Sequence, residues 1–296
     1  MVDTRLGAME GVTAVYLVSG DRPALVDAGA RTSAQTVRDA LAAAGIGADD
    51  LAWIVLTHVH LDHCGATGIL ARAFPRARVV VHHRGARHLS EPGRLVAGSA
   101  AVYGAHWSLY GGLDPTAAER ITAADDGHRV PIGPGRDLVM RETPGHARHH
   151  MSILDEATGA VLAGDAVGVR FPGGGIYPAL PPPDIDLDAG DRSLALLAAL
   201  APTRLCLAHF GPVPDPKEAL ARAREQLARA GEATRAAMAA GGGTERIAAE
   251  LGRLLPLEPE VRDPAVVALW RGLGWAEANL DGLAGWAERL PSRGAR

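Results

Sequence analysis

Within seven residues, Thr57-His58-Val59-His60-Leu61-Asp62-His63, the chain sets three imidazoles and one carboxylate directly after the apolar run Leu51 to Leu56. Imidazole and carboxylate together are ligands that suit zinc, iron and manganese, and catalytic sites keep one coordination position open. Alternate side chains on an extended backbone share a face. The spacing therefore predicts that His58, His60 and Asp62 converge, with His63 turning in as the chain leaves the strand. As four separate structural residues, each would need its own partner on leaving water.

Three later segments end an apolar run in the same kind of residue. Thr143-Pro144-Gly145-His146 is followed by His149 and His150, Gly164-Asp165 closes Ala160 to Ala163, and His209-Phe210-Gly211 closes Arg204 to Ala208. One histidine at a strand end is ordinarily a hydrogen-bonded structural residue. Added to the first cluster, these supply the six or seven nitrogen and oxygen donors of a two-metal site. His150 reads as support for a ligand or its loop, His149 as solvated, and His82 and His83 as packed structural residues.

The elements that must position these groups alternate in type. Val12 to Val18 and Pro23 to Asp27 read as paired strands. Thr32 to Ala44 reads as an amphipathic helix with Thr32 or Ser33 as N-cap and Gly45 at its end. The strand Trp53 to Leu56, a helix over 68–73 and a strand over 77–81 follow, which is an α/β pattern. Residues 84–128 carry several short helical patterns with exposed-looking Trp107 and Tyr110, an insertion placed to lie over the site. Strands resume at 138–141, 151–154 and 160–163.

The order H-x-H-x-D-H, T-P-G-H, G-D and A-H-F-G resembles the metallo-β-lactamase superfamily, whose fold is shared with glyoxalase II, and Leu25-Val26-Asp27-Ala28-Gly29 matches its early strand and turn. The resemblance implies an αββα sandwich of two mixed sheets over residues 1–212, with the metals at one edge, followed by a helical region over 213–296. Carried over residue by residue, it implies a first divalent ion held by His58, His60 and His146. A second would be held by Asp62, His63 and His209, with Asp165 bridging the two. Two ions, zinc or else iron or manganese, would share a water and lower its pKa, and would polarise the carbonyl of an ester, thioester, lactone or amide. Asp62 then also orients the nucleophile. Asp165 stands where some true β-lactamases carry a cysteine ligand, so antibiotic hydrolysis is not expected. The segment Ala166 to Pro172 lacks the cysteine- and arginine-containing loop usual in the glyoxalase II branch, which speaks against a glutathione thioester. Gly168 falls where acyl-homoserine lactonases often carry tyrosine. The loop Phe171 to Pro183 is expected to form a pocket wall, with Arg170 and Tyr177 as substrate contacts.

The leading expectation is a dinuclear hydrolase for the thioester or lactone of a small, hydrophobic acyl compound. A mononuclear iron enzyme resembling the persulfide dioxygenases would need only His58, His60 or an equivalent, His146 and Asp165, and His209 argues for the second metal. A binding or sensing protein with a vestigial site is the third class, and the full donor set stands against it.

Composition narrows the partners. The 296 residues carry a formal net charge of −4, which disfavours a nucleic-acid groove. All the basic residues but Lys217 are arginine. Two cysteines, Cys64 and Cys206, make no disulfide framework and suit a reducing compartment. The absence of a long apolar run or leader-like segment gives a cytoplasmic expectation with no membrane partner. Towards the end, 215–230 with Pro216 in its first turn, 244–255 and 264–290 read as helices around the break Gly241-Gly242-Gly243. Trp270, Trp275 and Trp286 are expected to form the core of this bundle. An apolar lid or a homodimer surface is the alternative.

Overall fold

Six strands form the first sheet because their residues alternate between two apolar faces. In the computed structural model, which describes residues 1–170, 175–241, 244–254 and 264–290, these are β1 (Val2–Asp3), β2 (Ala14–Val18), β3 (Ala24–Val26), β4 (Trp53–Val55), β5 (Arg78–His82) and β6 (Ile121–Ala124), adjacent in that order. The β1, β2 and β3 pairings are antiparallel, whereas β3 through β6 run parallel. The second sheet has the order β14-β13-β10-β9-β8-β7. It is built from β7 (Arg129–Gly133), β8 (Arg136–Glu142), β9 (Met151–Asp155), β10 (Ala160–Leu162), β13 (Arg204–Leu207) and β14 (Gly211–Pro212). A two-stranded ribbon, β11 (Val169–Arg170) with β12 (Ile176–Tyr177), stands apart.

Ala24, Val26, Trp53, Val55 and Val80 from the first sheet meet Leu138, Met140, Met151, Ile153, Leu162 and Cys206 from the second. Their neighbours Leu25, Ile54, Val79 and Val81 face the other way, as do Val161, Leu205 and Leu207. Each outer face is covered by helices. On the first side these are α1 (Ala34–Ala43), α2 (Leu61–Cys64), α3 (Thr67–Ala73), α4 (His83–Ser90), α5 (Gly93–Tyr103) and α6 (Trp107–Tyr110). On the second they are α7 (Leu187–Ala199), α8 (Pro216–Ala239), α9 (Thr244–Leu254) and, beyond α10 (Pro264–Leu273), α11 (Trp275–Arg289). This is the αββα sandwich with a C-terminal helical extension. Each large aliphatic side chain so buried contributes about 1.5–3 kcal/mol. No described helix is long and apolar enough to cross a membrane.

Several local expectations are corrected. Leu61–Cys64 is a helical turn, not extended chain, so Asp62 faces His209 instead of joining His58 and His60, while the His63 ring stays 4.1 Å from that of His58. Ser33 occupies the N-cap position of α1 as expected, but its hydroxyl makes no capping bond, because Arg31–Ser33 is a 3-10 turn leading into the helix, and the Thr32 hydroxyl donates to Leu109 O at 2.5 Å. Tyr110 is fully buried, stacked on Tyr103 at 3.9 Å between ring centres. The stretch 84–128 includes β6, so its last part belongs to the first sheet. Helix α8 runs through Gly231 to Ala239 because buried Ala230, Ala233, Thr234 and Ala237 continue its packed face. Helices α10 and α11 are parted at Gly274, whose φ is +65°. Trp286 is buried in the bundle as expected. Trp275 instead turns toward the histidines, and the Trp270 side chain, Leu255, residues 171–174 of the proposed loop wall and Gly242-Gly243 lie outside the described residues.

The turn at Gly145 brings His146 inward and requires glycine on two counts. Its φ is +144°, and a Cβ there would lie 2.4 Å from the Gly190 Cα of α7. Gly145→Ala is expected to cost at least about 2 kcal/mol. Gly45→Ala, at φ +80° with nothing within 4 Å of the added carbon, should cost about 1 kcal/mol. Urea unfolding of the two variants checks the difference.

Candidate metal centre

All the histidines and carboxylates singled out as ligands arrive from segments that follow strands at one edge of the sandwich, Asp62 and His63 from α2. His58, His60, Asp62 and His63 follow β4, His146 follows β8, Asp165 follows β10, and His209 follows β13. The potential ligand atoms of His58, His60 and His146 lie within 4.8 Å of one another. The same holds for Asp62, His63 and His209, and for His58, His63 and Asp165. The Asp165 Oδ2 atom lies 3.5 Å from His63 Nε2, 3.5 Å from His146 Nε2 and 3.6 Å from His209 Nε2. Asp165 therefore stands between two ligand groups. His60 Nδ1 and His146 Nε2 approach to 2.8 Å, and Asp62 Oδ2 is 3.4 Å from His209 Nε2.

Acceptors behind the rings decide which nitrogen faces inward. His146 Nδ1–H donates to Ala179 O at 2.7 Å and His209 Nδ1–H to Val12 O at 2.7 Å. A carbonyl only accepts, so in both rings the lone pair of the neutral form is left on Nε2. His63 Nδ1 contacts Asp27 Oδ2 at 3.1 Å. Asp27 also accepts from the backbone N–H and hydroxyl of Thr57. With its proton given to Asp27, the Thr57 hydroxyl accepts from His58 Nδ1–H at 3.0 Å. His58 Nε2, His63 Nε2 and Asp165 Oδ1 are then buried without a hydrogen-bond partner. Buried polar atoms are ordinarily satisfied, and three orphans of ligand type facing one space fit divalent metal ions.

The electrostatics of the two halves differ. Burial, reinforced by neighbouring imidazoles, holds His58 and His60 well below the usual histidine range, and burial also lowers His146. Burial alone would lower His63 and His209 too. The facing Asp165 and Asp62 instead hold His63 well above its ordinary value and His209 at about 9. Burial would raise the two carboxyls, but His63 and His209 hold Asp62 at about 2, and the same residues with His146 keep Asp165 well below the carboxylate range. Two ionised carboxylates thus call for positive charge, which protons or divalent cations can supply.

His150 is a scaffold residue. Its Nε2 accepts from Asp165 N at 3.0 Å, so Nδ1–H donates to Thr143 Oγ1, whose hydroxyl donates to Ser152 Oγ, which donates to Ala163 O. His149 is buried, not solvated, stacked 6.2 Å from His58. His82, His83 and Glu142 also cluster, but His82 Nδ1 accepts from Arg84 N and caps α4. Its Nε2 proton goes to Glu142, and no lone pair is left for a metal.

A small pocket of about 40 Å³ opens on the centre, lined by His60, Asp62, His146, Asp165 and His209 and walled by Tyr103, Val169, Pro178, Trp275 and Asn279 among others. Arg170 and Tyr177 flank it rather than line it. Arg170 alternates with Val169 on the ribbon and braces His209 O through its backbone N–H at 2.5 Å, while Tyr177 packs against the first-side core. Sequence reasoning missed Asp27 as the partner of His63, although an acid ending an apolar strand is the signal that marked Asp165. It also missed Tyr103 and Asn279, which carry no such signal.

The metallo-beta-lactamase superfamily profile matches residues 8–209. The metallo-beta-lactamase fold-containing protein ST1585 of Sulfurisphaera tokodaii is 30% identical over 207 residues, 68% of this chain and 74% of that protein. Its solved structure, described as an archaeal metallo-beta-lactamase superfamily protein from Sulfolobus tokodaii, aligns with a TM-score of 0.69 at 26% identity, covering 92% of this chain and 93% of that one. A metallo-beta-lactamase family protein of Thermus thermophilus, TTHA1429, aligns at 0.66 with 25% identity over 93% and 87% of the two chains. The probable metallo-hydrolase YqjP of Bacillus subtilis is 27% identical over 221 residues, 69% of this chain and 68% of that protein. The chain belongs to the metallo-β-lactamase superfamily.

If Asp27 orients His63 as a ligand, Asp27→Ala should weaken metal binding by about 10–100-fold. Competition for zinc with a calibrated chelator measures it, and an unchanged affinity would show that His63 does not depend on this bond.

Proposed function

We propose that the chain is a dinuclear metallohydrolase that cleaves the thioester, lactone or related ester of a small, hydrophobic acyl compound. The observation that carries the reading is Asp165, whose Oδ2 faces His146 of one ligand group and His63 and His209 of the other. His58, His60 and His146 would hold one ion, Asp62, His63 and His209 the other, and Asp165 both. The relative YqjP, a probable metallo-hydrolase, supports the reaction type.

Bound divalent ions supply acidification of a water and Lewis acidity toward a carbonyl oxygen. The protein's own groups do the rest. Asp62, ionised and at the cavity wall, accepts a hydrogen bond from the attacking water and orients it. Tyr103, Val169, Pro178, Pro181, Trp275 and Ala278 make the cavity wall apolar and exclude bulk water, and no lysine or arginine is among its described lining residues. Such a wall favours an uncharged acyl group over a phosphorylated or polyanionic one. A cytoplasmic place of action belongs to the same reading, supported by the free, buried Cys64 and Cys206.

The test is elemental analysis of protein purified without added metal, alongside hydrolysis of a generic thioester and a generic lactone. About two ions per chain and turnover abolished by chelator are expected, with His58→Ala and Asp165→Asn each lowering kcat/KM more than about 100-fold. One iron per chain, no hydrolysis, and oxygen uptake with a persulfide would replace this reading with the mononuclear dioxygenase.

A further inference from the structure

Helix α11 reaches the ligands from behind, through the segment Pro178 to Leu180. The Asn279 side chain grips that segment on both sides of one residue: Nδ2 donates to Pro178 O at 2.9 Å, and Oδ1 accepts from Leu180 N at 2.6 Å. Only one orientation of the amide satisfies both partners, because the carbonyl needs a donor and the N–H an acceptor. The residue held between them is Ala179, whose carbonyl accepts from His146 Nδ1–H. The helix backbone lies directly on the same segment. At Gly282, one turn beyond Asn279, a Cβ would fall 1.9 Å from Leu180 O, so no side chain can intervene.

We propose that Asn279 is a positioning residue for the metal centre. By fixing the peptide groups on either side of Ala179 it aims the carbonyl that sets the ring angle of His146 and leaves Nε2 as the coordinating nitrogen. The inference rests on the reading of His146 as a metal ligand. It makes part of the C-terminal helical region a working piece of the site, beyond the wall that Trp275 and Ala278 provide. Asparagine suits the task because its planar amide sets a donor nitrogen beside an acceptor oxygen at the spacing of two peptide groups. Aspartate keeps the acceptor and loses the donor, and alanine loses both.

The test uses the full chain with zinc alone as the probe, and cobalt as a spectroscopic substitute. Asn279→Ala should weaken zinc binding by about 10–100-fold in chelator competition and alter the visible spectrum of the cobalt form. Asn279→Asp should fall between it and the parent, and being isosteric it carries the same readouts should the alanine variant not fold. Arg289→Ala is the control for helix docking, since Arg289 Nη2 donates to Ile185 O at 2.8 Å, away from the ligand segment. It should lower the melting temperature in chelator at least as much as Asn279→Ala while leaving zinc affinity and the cobalt spectrum unchanged. Parental affinity and spectrum in both Asn279 variants would overturn the inference, whatever their melting temperatures. His146→Ala separates the two layers. If it too binds zinc as the parent does, the metal-centre reading itself has failed; if it loses zinc while the Asn279 variants do not, only the positioning role is lost.

Discussion

Asp62 and Asp165 are both buried and both face the same imidazoles, and a protein interior does not hold two ionised carboxylates without matching positive charge. The rest of the site follows from that constraint. Seven side chains must be packed at one edge with their charges opposed and their lone pairs pointed inward. That requires strands ending together, glycines where the backbone turns sharply, and an acceptor behind each ring that must present Nε2. The first sheet supplies four of the groups from one segment, and the second supplies one from each of three strand ends.

The supporting bonds match donors to acceptors throughout. Thr57 gives its proton to Asp27 and so can take one from His58. His150 accepts a hydrogen bond from the Asp165 backbone N–H, and the chain of donors continues outward through Thr143 and Ser152 to a strand carbonyl. Gly164, with φ +53°, leaves room for this, since a Cβ there would lie 2.6 Å from His150 Nε2. A hydrogen-bond network closed in this way holds its members in one arrangement, which is what a constellation of ligands needs.

What could be read from the sequence was the chemistry compressed into short spacings. The ligand-type residues and the apolar runs that deliver them stand in plain order, and strand alternation at Leu25, Ile54 and Val80 is local information. Burial is not local. Tyr110 and His149 look like surface residues until α5 and the neighbouring histidines cover them, and Gly231 looks like a helix end until buried residues beyond it keep α8 going. The turn at Leu61–Cys64 divides the first cluster between two groups, which a purely extended reading of His58, His60 and Asp62 does not foresee. Asn279 and Trp275 sit far along the chain among residues of ordinary helical type, and only the docking of α11 brings them to the site.

No disulfide ties the two sheets, since both cysteines are free. The ligand set is drawn from both halves of the sandwich, so an ion gripping His60 and His146 joins residues 86 apart in sequence. Such an ion is a cross-link as well as a reagent. Unlike a disulfide, which constrains the unfolded chain, an ion held only by the folded ligand set would stabilise that state by mass action, by about 2.7 kcal/mol at a hundred times its dissociation constant. The metal centre would then serve as the clasp of the sandwich, and the stability of the fold would depend on the supply of an ion.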